Sequence, residues 1–257
     1  MQYVIVTGAT GAIGSEICRN LAQRGYGLIL AFRNHEKAEA LAASLPPNNS
    51  SVFLQLDLAD SDSVHKAAAE LPRLIPSDHS LKALINNAGV MASEYKKTPS
   101  GRELDMTVNY HNTVLWTKLL LQTGLMTEGS AIVFTTSLTR HLHRGTAIPK
   151  ESDQSNFSRL RTYGASKRAI TLYAANLHKE LSPREIYVNC ADPGIVDTGM
   201  ITMQKWFDPI TDILFRPLIR SPRKGAQPAL RALDAALKGQ GGRIFCRHTS
   251  HPLPSLT

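Results

Sequence analysis

The sequence of 257 residues has only three cysteines, Cys18, Cys190 and Cys246, odd in number and far apart. That count excludes a disulfide framework, and the absence of any C-x-x-C or Cys/His spacing leaves no metal site to expect. Negative charge is also scarce, with 21 Asp and Glu against 29 Lys and Arg and a formal net charge of +8. No helix-turn-helix cue, zinc spacing or aromatic RNA-binding motif accompanies this excess, so a nucleic-acid partner is not expected. Long apolar runs are missing too: Lys118 interrupts the nearest candidate, at 113–127, and no membrane span is expected. The opening MQYVIVTG has neither the basic start nor the small-residue cleavage site of a secretory leader. The expectation is a soluble cytoplasmic protein with reduced thiols.

With 42% hydrophobic and 19% charged residues, the chain has ample material for a packed core and is not disordered. Short runs rich in Val, Ile and Leu at 3–6, 28–32, 52–56, 81–85, 131–135, 186–190 and 243–246 read as buried strands. Amphipathic or Ala/Leu-rich stretches of helical length separate most of them, at 14–24, 35–45, 61–71, 105–122, 163–181 and 225–238. This alternation predicts an α/β fold: one domain over 1–257, with a doubly wound, mostly parallel sheet of seven strands and helices on both faces. No repeat or low-complexity tract breaks it. Two connections stand out. The stretch 138–161 is long and basic, with Arg140, His141, His143, Arg144, Lys150, Arg159 and Arg161. The stretch at about 199–224 carries Trp206, Phe207 and Phe215 between Pro209, Pro217 and Pro222, and reads first as a substrate lid. Simple packing of that segment ranks second, and contact with a membrane surface last.

The first strand runs into TGATGAIG, residues 7–14, and then into a helix. A glycine-rich turn at this place lets main chain approach a pyrophosphate, which the helix N-terminus attracts. Gly8, Gly11 and Gly14 are the candidate glycines, with Thr10, Ala12 and Ile13 in the same turn. At the end of the second strand, where an acid would read a ribose 2′-hydroxyl, the chain has Phe32-Arg33-Asn34 and no acid before Glu36. A guanidinium can clasp a 2′-phosphate, so NADP(H) is favoured over NAD. Tyr163 and Lys167, four apart at the start of a helical stretch, share one face and offer a phenol beside an ammonium. Such a pair can give or take the proton of a carbonyl/alcohol couple.

Together these motifs resemble the short-chain dehydrogenase/reductase family over nearly the whole chain. The resemblance rests on TGATGAIG, Asp57-Leu58, Asn86-Asn87-Ala88-Gly89, Val108-Asn109, Thr136-Ser137, Tyr163 with Lys167, and Pro193-Gly194 followed by Thr198. It implies a Rossmann fold and a catalytic set of Asn109, Ser137, Tyr163 and Lys167. In that set Tyr163 is the general acid/base and Ser137 holds the substrate oxygen. Lys167 binds the nicotinamide ribose and depresses the Tyr163 pKa, while Asn109 anchors a relay water. It further implies cofactor contacts at Asp57, Leu58, Asn87, Ala88, Gly89, Pro193, Gly194, Ile195, Val196 and Thr198. Ala12 departs from the usual glycine of the compact branch of the family. NNAGVM, Tyr95, KTPSGRELDMTVNYHNT, Arg33-Asn34, RKGAQ at 223–227 and the 26 positions from Ser137 to Tyr163 are similar to the retinol-dehydrogenase-like, NADP-preferring group. That similarity implies a small lipophilic alcohol or carbonyl as partner, and family habit implies a homodimer. The competing reading is a regulator of the same fold that binds NADP without chemistry.

Overall fold

Alternation along the strands decides the layers of the fold. In β1 (Gln2–Thr7), Val4 and Val6 enter the apolar layer on one side of the sheet and Ile5 enters the layer on the other. The computed structural model describes residues 1–75, 80–143, 145, 147–194 and 221–254. Within these, β2 (Gly27–Phe32), β3 (Ser51–Gln55), β4 (Ser80–Asn86), β5 (Ala131–Thr135), β6 (Tyr187–Ala191) and β7 (Arg243–Phe245) join β1 in parallel. The sheet order is β3-β2-β1-β4-β5-β6-β7, and all seven expected strands are present.

An eighth strand, β8 (Ser250–Pro252), adds to β7 in the antiparallel sense, so the sheet has eight strands rather than the seven expected. Its sequence, Ser-His-Pro, has no apolar run to announce it, and its proline is tolerated because the strand lies at the edge.

The helices α1 (Ala12–Gln23), α2 (His35–Ala43) and α3 (Ser61–Leu74) follow β1, β2 and β3. After β4 come a short α4 (Leu104–Met106), a π-helical turn at Thr107–His111 and α5 (Asn112–Gln122). Then α6 (Arg159–Leu181) precedes β6, and α7 (Pro222–Ala236) precedes β7. Leu21, Leu230 and Leu233 of α1 and α7 seal one face of the sheet, while Leu71, Trp116 and Ile170 of α3, α5 and α6 seal the other. The expected helix at 105–122 is thus interrupted by a π turn. The basic connection is also shorter than expected, because Leu138–Leu142 forms a 3-10 helix and α6 already begins at Arg159. Of the expected lid, 195–220 lie outside the described residues, and 221–224 are the capped start of α7. Among the described residues no helix is long and apolar enough to cross a membrane.

Sheet order reverses between β1 and β4. Folds of this kind open a crevice at the carboxyl ends of the strands at such a reversal. The ends of β1, β2 and β4 and the loops that follow them shape it here.

Candidate active site

The phosphate turn is shaped by close main-chain approach. Gly8 has φ of +62° and its Cα hydrogens face Ala88, where a Cβ would come within 2.9 Å of a backbone carbon. At Gly14 a Cβ would stand 2.2 Å from the Gly8 carbonyl oxygen, so no larger residue fits without moving the turn. Gly11 is less constrained, with only the Gly8 carbonyl oxygen near its absent Cβ, at 3.3 Å. It caps α1 without a side-chain hydrogen bond, and no acid occupies the first turn of that helix. The helix end therefore keeps the positive potential that a pyrophosphate needs. Asn87 fixes the turn from the side, donating from Nδ2 to the carbonyl oxygens of Thr7 at 3.0 Å and Gly8 at 3.3 Å. The Ala88 N–H donates to Thr7 Oγ1 at 3.0 Å.

A cavity of about 570 Å³ extends from this turn across the end of the sheet. Its wall includes Gly8, Thr10, Gly11, Ala12, Ile13 and Gly14 from the turn, and Arg33 and Asn34 after β2. Asp57, Leu58, Asn87, Ala88 and Gly89 complete the set expected from the sequence at this end. Lys37, which the sequence reading missed, adds a second cation beside Arg33. It stands one helical turn after Asn34, whose side-chain oxygen caps α2 by accepting from the Lys37 N–H at 2.9 Å. Turn, helix end, cavity and paired cations fit a dinucleotide with its pyrophosphate at Gly8–Gly14 and its adenosine end at Arg33 and Lys37.

The proton-handling residues gather where the cavity wall reaches Gly89 and Val90. A Cβ on Gly89 would lie 3.1 Å from Asn109 Oδ1 and 3.2 Å from Lys167 Nζ, so its lack of a side chain opens the way between the two ends. Asn109 sits in the π turn after α4, a device that recurs at functional sites. Its Oδ1 accepts from the Val90 N–H at 2.8 Å, and its Nδ2 donates to the Val90 carbonyl at 2.8 Å and to Ser166 Oγ at 2.9 Å. The amide is thereby committed to holding the post-β4 segment against α6. Lys167, 2% exposed, donates from Nζ to the Thr135 carbonyl at 2.9 Å and lies 5.5 Å from the centre of the Tyr163 ring. Ser137, 26 positions before Tyr163, is hydrogen-bonded to it. Ser137 Oγ also accepts from the N–H and Oγ1 of Thr139, at 3.3 and 3.1 Å.

The electrostatics correct one expectation. Lys167 does not depress the Tyr163 phenol: dense packing around that side chain pushes its pKa well above the ordinary tyrosine value, and the charges of Asp192 and Asp105 raise it further. Only the hydrogen bond from Ser137 works the other way. Lys167 itself is lowered to about 8, because burial disfavours its ammonium more than Asp105 and Asp192 favour it.

Asp105, absent from the sequence-based candidates, is fully buried and raised to about 7, chiefly by burial, with the Glu103 charge adding to it. Its Oδ1 accepts from the Ala92 N–H at 2.9 Å, while its buried Oδ2 has no partner among the described residues. An acid at the start of a helix reads as a cap, which is why it escaped notice; Glu103 is the residue that caps α4. Pro193 and Gly194 follow β6, and the Gly194 N–H donates to Asp192 Oδ1 at 3.0 Å. Ile195, Val196 and Thr198 lie outside the described residues.

A dinucleotide crevice that ends at a serine, a tyrosine and a buried lysine defines an α/β oxidoreductase of the nicotinamide-dependent kind. The family model for short chain dehydrogenase matches residues 2–206, and the chain belongs to that family. It is similar to retinol dehydrogenase 12 of Homo sapiens, 33% identical over 96% of this chain and 79% of that protein. Polyprenol dehydrogenase of Mus musculus is 33% identical over 95% of this chain and 75% of its own length. Among solved structures, a short chain dehydrogenase from Burkholderia cenocepacia J2315 in complex with NADP superposes with a TM-score of 0.75. At 22% identity, covering 95% of this chain and 94% of that one, it shows the shared fold. The chain is thus a retinol-dehydrogenase-like oxidoreductase of the family, acting on CH–OH groups.

Proposed function

We propose that the protein is an NADP(H)-dependent oxidoreductase that interconverts a carbonyl and an alcohol on a lipophilic, retinoid-, steroid- or aldehyde-like substrate. Tyr163 is its general acid/base. The observation that carries this reading is the hydrogen-bonded Ser137–Tyr163 pair beside Lys167, at the Gly89 end of the dinucleotide cavity. When bound, the nicotinamide supplies or accepts the hydride. The chain does the rest: Ser137 orients the substrate oxygen, and Tyr163 gives that oxygen its proton in reduction or removes it in oxidation. Tyr163 and Lys167 also hold the nicotinamide ribose, with Pro193, Gly194, Ile195, Val196 and Thr198 around the carboxamide. A phenol whose pKa is raised is a proton donor at rest, which suits the reduction of a carbonyl.

The preference for a lipophilic substrate is supported by where the apolar surface lies. Leu138, Leu142, Ile148 and Leu160 are each about half exposed, and all belong to the segment between Ser137 and Tyr163. The names of the two relatives, a retinol and a polyprenol dehydrogenase, point the same way. Arg33 and Lys37 on the cavity wall support NADP(H) over NAD(H), since each complements a 2′-phosphate. Half-buried Val114, Leu115 and Leu119 of α5, together with Tyr110 and Tyr173, support a homodimer formed on this side of the sheet, with light scattering as its test.

A panel of retinoid, steroid and aliphatic carbonyls offered with NADPH and with NADH tests the function. Turnover is expected for lipophilic members with NADPH. Tight NADPH binding with no turnover across the panel would instead favour a nucleotide-binding regulator.

A further inference from the structure

Two loops leave the same edge of the sheet side by side. β5 ends at Thr135 opposite Ala191 of β6, and the Thr136 N–H donates to the Ala191 carbonyl at 2.8 Å. One loop carries Ser137 and the other carries Pro193 and Gly194. Between them lies a buried ion pair that neither loop needs for its own turn. Arg140, 5% exposed, donates from Nη1 to Asp192 Oδ2 at 2.7 Å, and Asp192 is 3% exposed. The same Nη1 donates to the Ser137 carbonyl at 2.8 Å, and Asp192 Oδ1 accepts from the Gly194 N–H at 3.0 Å. The result is an unbroken chain from the Ser137 carbonyl through Arg140 and Asp192 to the Gly194 amide.

We propose that Arg140 and Asp192 are a positioning pair that locks the Ser137 loop to the Pro193–Gly194 turn. This rests on the assignment of Ser137 and Tyr163 to the chemistry. The pair fixes the donor for the substrate oxygen against the turn that faces the nicotinamide, two parts that belong to different loops.

Three observations carry the inference. A buried ion pair contributes little to stability compared with apolar side chains of the same volume, so its presence calls for another role. The 3-10 helix that holds Arg140 has no slack against α6: a Cβ on Gly164, next to Tyr163, would stand 2.5 Å from the Thr139 carbonyl oxygen. Any shift of this helix therefore changes the Ser137–Tyr163 geometry directly. Finally, the Asp192 charge reaches both Tyr163 and Lys167 and raises the pKa of each, so Arg140 partners the carboxylate that acts on the proton-handling pair.

The decisive experiment compares Arg140→Met, Arg140→Lys, Asp192→Asn and the double variant Arg140→Met/Asp192→Asn in the full chain. It reads kcat, KM, the Kd for NADPH and hydrogen exchange at the Gly194 amide. Arg140→Met leaves a buried carboxylate unpaired and can fail to fold, whereas the double variant leaves no buried charge and keeps the fold. A positioning pair predicts that the folded double variant loses about 10- to 100-fold in kcat, since a misplaced group of about an ångström costs that much. Its KM and NADPH Kd stay within about threefold, and Gly194 exchanges faster. Arg140→Lys recovers part of the rate. A double variant with wild-type kcat and wild-type exchange at Gly194 would overturn the proposal, because the pair would then serve only the fold. Should the wild-type protein turn over none of the carbonyls, the assignment of Ser137 and Tyr163 fails. The exchange at Gly194 still decides whether the pair locks the turn.

Discussion

The two ends of the crevice are held by different kinds of structure. At the phosphate end the cavity wall is mostly main chain: glycines that tolerate no Cβ, a helix terminus, and Asn87 bonded to two carbonyls. At the proton-handling end the wall is side chain: Lys167, Asp105, Arg140 and Asp192 are all buried, and each is fixed by groups distant in sequence. Main chain cannot titrate and barely moves, which suits a site that must only hold an anion. Buried ionisable groups shift one another's pKa values, which suits a site that must move a proton, and they make it sensitive to pH and to single charges.

Substitutions can break this contrast. Gly14→Ala would drive a Cβ to 2.2 Å from a backbone oxygen, and it is expected to weaken NADPH binding by about 100-fold or more, measured by fluorescence titration. Gly11→Ala, whose Cβ meets only one atom at 3.3 Å, should cost less than about tenfold in the same titration. At the other end, Ser137→Ala should lower kcat by roughly 100-fold through loss of one donor to the substrate oxygen, with the NADPH Kd unchanged. Arg33→Ala should raise the NADPH Kd by about tenfold without affecting NADH, and Lys37→Ala should do the same more weakly. An equal effect of either variant on both cofactors would remove that residue from the reading of the 2′-phosphate.

The smallest effect sharpens the electrostatic half of the comparison. The Asp105 pKa is raised in the fold, from its ordinary 3.8 to about 7, so the folded state binds the proton more tightly than the unfolded chain. The stability this provides is complete below about pH 4 and is lost as the pH rises through about 7. Asp105→Asn removes the penalty of a buried, half-satisfied carboxylate. Thermal melts should show it more stable than the wild type at pH 8, by on the order of 1 kcal/mol, with the difference vanishing near pH 4.

The same contrast explains what could be read in advance. Gly8, Gly14, Asn87 and Arg33 were legible because the motifs that carry them are local, each lying within a few residues of a strand end. Lys37 was not, since a lysine one turn into an exposed helix resembles any solvated charge. Arg140 was visible only as one of seven basic residues in a connection, and Asp192 only as the neighbour of Pro193. Their pairing depends on β5 and β6 being adjacent, a property of the sheet order and not of either segment. β8 was missed for a related reason: a three-residue edge strand has no face to bury and so leaves no alternation in its sequence.

The central claim, that Tyr163 carries the proton while the rest of the crevice holds the cofactor, is tested most directly by measuring NADPH affinity and turnover together in Tyr163→Phe. The account predicts a Kd within about twofold of the wild type and a kcat lower by roughly 10²- to 10⁴-fold. Turnover at the wild-type rate in that variant would contradict it.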